Sequence, residues 1–410
     1  MSKEENRKNF SKYVSQNILG MIGFSCYVLA DSYFISIAKG ADGLTALNLV
    51  MPLYSIIFSI GEMIGVGSAI RYAISKIKKD ADADDYFWNA LIWCILSSML
   101  FVFAGIFFSA DIMRVLGADE HIVAVGNNYT KIFMCFAPMF MCNYVTNAFV
   151  RNDGAPGIAM SATLFSSLFN IVFDYILMFP MNLGMEGAAL ATALSPIIGM
   201  GICSIHFFSK KSSVRLVVCK PSVRKLVAGC QLGVSAFVGE MSSAVITLAF
   251  NFVILKLAGN VGVAAYGVVA NIAIVTTAVF NGVAQGSQPL ISSCFGRGDK
   301  DGCTQLKRMG YTTAFVLAAV MYSILFIFAG QFVAVFNSEG SEMLRLYATE
   351  GVKLYFIGIF FAGINIVGGG AFSATEDAFK AAVVSVARGF VLILGAVFVM
   401  SALFGMTGVW

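Results

Sequence analysis

Apolar residues in this chain gather into long blocks separated by short polar stretches. A block of about 20 residues rising 1.5 Å each crosses a hydrocarbon core of about 30 Å, so blocks longer than about 18 read as membrane-spanning helices. The pattern places spans at 13–38, 44–74, 87–109, 122–149, 157–180, 186–209, 231–256, 261–292, 309–335, 345–371 and 380–404, eleven in all. Pro52, Pro138, Pro196 and Pro289 fall inside them. Membrane bundles tolerate such prolines because neighbouring helices re-satisfy the freed backbone groups, so they predict bends rather than sites.

Composition strengthens the reading: of 410 residues 58% are hydrophobic and 12% charged, with mean hydropathy +0.82, far from the range of soluble domains. The basic start of the chain (Lys3, Arg7, Lys8, Lys12) resembles a signal peptide, but the apolar block after it is too long and has no small-residue cleavage site, so it is expected to stay as the first helix. Lys and Arg are retained on the cytoplasmic side. With the N-terminus inside, only Lys39, Arg114, Lys256 and Arg345 fall in external loops, and Lys131, Lys353 and Arg388 lie within spans. The rest sit in or beside cytoplasmic segments, above all Lys210, Lys211, Arg215, Lys220, Arg224 and Lys225. The net charge of +4 is therefore topogenic and makes no nucleic-acid footprint. Nine scattered cysteines and two histidines offer no zinc spacing and read as packing residues. Walker, HExxH and GxSxG motifs do not occur, so no enzyme chemistry and no cofactor is expected.

The two halves match at a shift of about 220 residues. Lys39-Gly40-Ala41-Asp42-Gly43 aligns with Ala258-Gly259-Asn260-Val261-Gly262, Gly67-Ser68 with Gly286-Ser287, Lys131 with Lys353, and Gly184-Met185-Glu186-Gly187 with Gly405-Met406-Thr407-Gly408. Six spans precede the second half, so the repeats are parallel, the arrangement of transporters whose halves rock around a central site. The expected fold is an all-α integral membrane protein of two six-helix lobes: 1–209, a cytoplasmic linker 210–230, and 231–410. Residues 405–410 match the opening of the sixth helix, which predicts a chain without a twelfth; a natural eleven-helix protein is the alternative.

A charge at the bilayer centre costs about 2.5–3.5 kcal/mol on insertion scales, so each one needs a partner, a wet cavity or a function. Asp31 in the first span and Asp174 in the fifth both lie roughly 10 Å below their outer ends by helical rise. Asn170 is one turn from Asp174 on the same face, and Thr192 enters the sixth span at that depth. Two carboxylates, an amide and a hydroxyl in one layer suit a sodium-sized cation or a proton. Glu62, Glu240 and Arg388 fall in the inner half. A Glu240–Arg388 pair would neutralise both and fix packing, and Glu62 would attract a cationic substrate. Asn251 and Gln285 are further substrate-cavity candidates. The 20 methionines and 37 phenylalanines suit a cavity for varied apolar cations.

Gln285-Gly286-Ser287-Gln288-Pro289-Leu290-Ile291-Ser292 with Phe295-Gly296-Arg297-Gly298-Asp299 resembles the eighth-helix motif of the MATE (multidrug and toxic compound extrusion) transporters. Ala30-Asp31-Ser32-Tyr33-Phe34-Ile35 looks like their first-helix signature, and Asn152-Asp153-Gly154 and Gly187-Ala188-Ala189-Leu190-Ala191-Thr192 match as well. The likeness covers nearly the whole chain and is closest to a branch of staphylococcal multidrug exporters. It implies a twelve-helix fold exporting cationic or amphipathic compounds across the inner membrane in exchange for Na⁺ or H⁺. It also places Asp31, Asn170, Asp174 and Thr192 at the family's first-lobe cation site. Glu240 resembles an acid that one branch uses in the second lobe, but the partner aspartate is missing; the tenth span offers only Glu350 and Asn365. Some relatives bend the first helix at a proline; this one has none, only Gly20 and Gly23. A lipid-linked oligosaccharide flippase of the same superfamily is the second expectation, at odds with a span set whose one central cation is Arg388. The expected partners are small-molecule substrates and the bilayer, with the chain a monomer.

Overall fold

The computed structural model describes residues 3–336 and 341–410; residues 1–2, and 337–340 of the expected second lobe, lie outside the described residues. With no water in the bilayer core, backbone groups must pair inside each segment, and the apolar blocks accordingly fold as helices. The first half holds α1 (Lys3–Gly40), α2 (Asp42–Lys78), α3 (Asp85–Val115), α4 (Glu120–Cys135 and Ala137–Asn152, bent by 46°), α5 (Pro156–Met178) and α6 (Met185–Phe207). The second holds α7 (Val223–Gly259), α8 (Val261–Gly296), α9 (Lys300–Ile327), a short helix Ala329–Phe336, α10 (Glu342–Ala374) and α11 (Ala378–Val409). Each expected span has its helix. Of the four prolines, Pro138 opens the second segment of α4 beside the bend, whereas Pro52, Pro196 and Pro289 sit inside continuous helices.

The repeat is visible in the backbone. Gly40 (φ 58°, ψ −141°) separates α1 from α2, and Gly259 (φ 60°, ψ −156°) separates α7 from α8. That region is closed to residues bearing a Cβ, so glycine at both places lets two long helices reverse with almost no loop.

Helices outrun their apolar spans at the end of the bundle that carries the N-terminus, because there they pack on protein instead of lipid. Phe10 and Val14 of α1 are buried in the core of the second half with Val283, Leu290 and Leu306. Leu232 of α7 is buried in that of the first half with Ile70, Phe87 and Phe149. Between these exchanged ends the backbones nearly touch. A Cβ on Gly67 would stand 2.0 Å from the Gly229 carbonyl oxygen, one on Gly233 2.0 Å from that of Met63, and one on Gly286 2.7 Å from the Val14 Cα. Toward the opposite end the cores divide, one around Ile35, Val50 and Tyr129 and the other around Phe250, Ile254 and Val397. The halves thus meet at one end and part at the other, with a cavity between them.

Between the halves the chain runs from the end of α6 at Phe207 to Val223, where α7 begins. Its extended part is tied to the first half: the Trp88 indole donates to the Cys219 carbonyl at 2.9 Å, and buried Asp153 accepts from the Ser213 amide at 2.9 Å and shares 2.8 Å with His206 Nε2.

Candidate functional site

Four side chains expected together are found together inside the first half. Asp31 (6% exposed), Asn170, Asp174 and Thr192 are all buried, and Asp31 is close enough for its charge to act on Asp174. With the Asn170 amide turned to match its neighbours, its nitrogen donates to Asp174 Oδ2 at 3.1 Å, and its oxygen accepts from the Thr192 hydroxyl at 3.1 Å and the Thr192 amide at 3.3 Å. Spacing explains this assembly: Asn170 and Asp174 are one turn apart on α5, and α6 packs alongside with Ala188, Ala189 and Ala191 buried. Asp31 Oδ1 and Asp174 Oδ1 are buried without a hydrogen-bond partner. A buried acceptor left unpaired costs about 1–3 kcal/mol, so both atoms call for a cation or a proton.

Below this pair lies the cavity between the halves, about 990 Å³ of space counting its open mouth. One face of α1, from Asn17 through Phe24 to Tyr27, lines it and leads up to Asp31. Tyr27, on the cavity wall, is one helical turn before Asp31. Phe58, Phe140, Tyr144, Met21 and Met160 supply apolar and aromatic wall. The acids Glu62 and Glu240 reach it from opposite halves. Here the sequence expectation needs correcting. Among the described residues Glu240 forms no ion pair with Arg388; it faces Glu62, whose charge it opposes. Gly389, in the π-helical stretch Ala387–Leu392, lies close against Ser242 and Val238 of α7. Gln285 lines the cavity and Asn251 does not. Glu350 is held away from it by the Thr407 hydroxyl at 2.7 Å.

The cation that does face the acids is Arg151, which lies beyond the expected end of the fourth span. It is buried (5% exposed) and donates to Gln285 Oε1 at 2.6 Å, while Gln285 Nε2 donates to Glu62 Oε1 at 3.2 Å. Asn143, Asn147 and Arg151 all line the cavity. Their four-residue spacing on α4 marks one helix face, a polar stripe that could have been read from the sequence. Tyr54 and Tyr129, whose hydroxyls hydrogen-bond to each other beside Asp31 and Asp174, carry no such mark.

The MatE family profile matches residues 17–176 and 236–404, most of both halves. The chain belongs to the MatE family. This MATE transporter is 28% identical over 404 residues to the multidrug export protein MepA of Staphylococcus aureus (strain MRSA252), covering 96% of this chain and 86% of the relative. It is 26% identical over 399 residues to MepA of Staphylococcus saprophyticus, with the same coverage. Its fold matches a solved outward-facing multidrug resistance MATE family transporter of the MOP superfamily (TM-score 0.89, 21% identity, 99% of this chain and 91% of that one). It also matches a MATE structure in complex with MaL6 (TM-score 0.92, 21% identity, the same coverage). The MATE chain is a multi-pass membrane protein with a pocket between two acids from opposite halves.

Proposed function

We propose that this transporter exports cationic, amphipathic compounds and draws its energy from inward movement of a cation through the Asp31–Asp174 site. The observation that carries the reading is the pair of buried, unpartnered carboxylate oxygens placed one tyrosine away from the cavity. An ion held by both carboxyls in one conformation and not in the other biases the two states, and that difference is what couples two movements. Of the two ions, the donor set suits the proton. Asn170 and Thr192 use their polar atoms on each other and on Asp174, so of these four side chains only carboxylate oxygens are left for an ion. The kinship with exporters named for multidrug export supports the substrate class, as do Glu62, Glu240 and the aromatic wall, which offer charge and ring faces to an organic cation. The Lys and Arg pattern puts the N-terminus in the cytoplasm, so the open end faces outward, and the chain acts as a monomer. The oligosaccharide flippase draws no support from a cavity with two carboxyls and a single guanidinium on its walls.

Efflux of a quaternary ammonium dye from proteoliposomes, under proton and sodium gradients imposed separately, tests the proposal. Efflux should follow the proton gradient in the wild type and stop in Asp31→Asn. Gradient-driven efflux by that variant at the wild-type rate would remove Asp31 from the coupling.

A further inference from the structure

Gln285 joins the halves: from α8 it accepts from Arg151 of α4 and donates to Glu62 of α2. The link lies toward the closed end, where Gly67 meets Gly233 and Gly286 meets Val14. Farther along, Asn6 donates to Gln305 at 3.2 Å, and Arg71 and Lys78 pair with Glu376. A cation bound only to hold the fold would be saturated by fixed acceptors. Arg151 is not. Its Nε is buried without a partner, and its remaining side-chain contact, to Asn17 Oδ1, is 3.5 Å long. Glu240 stands across the same cavity with no ion pair among the described residues, so Glu62 is the acid this guanidinium reaches, by way of Gln285.

We infer that Arg151 and a cationic substrate compete for Glu62: the guanidinium holds this acid through Gln285 in the empty cavity, and a bound substrate takes its place. The inference rests on the proposal that cations bind in this cavity, and it gives Arg151 a positioning role. The guanidinium regains Glu62 as substrate leaves, and so favours release into the open mouth of the cavity. A carboxylate whose partner sits in a largely desolvated pocket cannot keep both cations at full strength, since each one attracted weakens the pull on the other.

The test is equilibrium binding of a fluorescent aromatic quaternary ammonium monocation to the purified full chain in lipid nanodiscs, paired with its efflux rate in proteoliposomes. Arg151→Gln should bind the dye about tenfold more tightly, the scale of one charged hydrogen bond removed, and turn over more slowly. Arg151→Lys should return affinity toward the wild type. In a Glu62→Gln background, where the contested charge is gone, Arg151→Gln should leave affinity unchanged. Gln285→Ala keeps the arginine but cuts its link, so it should also tighten binding and covers the case in which Arg151→Gln fails to fold. Unchanged or weaker binding in Arg151→Gln and Gln285→Ala overturns the inference, as does an equal gain with Glu62 neutralised. Wild-type affinity in Glu62→Gln alone would instead remove the cavity acid, and with it the reading beneath.

Discussion

The residues that matter most are those whose polar atoms are buried and incompletely paired. Asp31 and Asp174 could be picked from the sequence because a carboxyl in an apolar span is costly wherever it stands. Asn170 and Thr192 followed from helical spacing and depth. The structure adds what each amide and hydroxyl does: Asn170 supplies the donor to Asp174 Oδ2. Asn170→Leu should strand that oxygen and destabilise the protein by about 1–3 kcal/mol, read as a lower thermal unfolding midpoint, and an unchanged midpoint would show that the amide is dispensable. Arg151 escaped notice because hydropathy ends its span two residues earlier, at a boundary that marks lipid contact and not burial. The expected Glu240–Arg388 pair failed for another reason: depth along a helix can be counted from sequence, but the direction a side chain faces depends on which neighbour its helix packs against.

At the scale of helices, the apolar blocks located every span, and a repeated glycine gave the two reversals at Gly40 and Gly259. The lengths were less legible. The ends near the N-terminus are more polar than a lipid-facing segment, yet they are helical because each is inserted into the core of the opposite half, as Phe10 and Val14 are. Pairing across halves is a tertiary fact that no local pattern announces. Gly67 is the place to test it. Valine there would put its Cβ against the Gly229 carbonyl, and backbone cannot give way as a flexible side chain would, so α2 and α7 must separate. Spin labels on the inner ends of α1 and α7, in a chain freed of its natural cysteines, should show a longer distance in Gly67→Val than in the wild type. An unchanged distance would mean that the glycine crossing does not hold this end closed.

For the molecule as a whole, two parallel halves that exchange their first helices at one end and part at the other make a hinge around a cavity. Among the described residues the buried carboxyl pair lies in the first half; in the second, Glu350 accepts from Thr407. The asymmetry was foreseeable from the sequence, where the repeat preserves glycines and loses the acids. What the sequence left open is where the pair stands relative to the cavity: Tyr27, one turn before Asp31 on α1, is on the cavity wall. The most direct measurement of the claim that this pair couples ion to substrate is a count of protons released when substrate binds to the purified transporter in weak buffer. The account predicts release from the wild type and none from Asp31→Asn or Asp174→Asn variants that still bind substrate; release of the same size from both variants would contradict it.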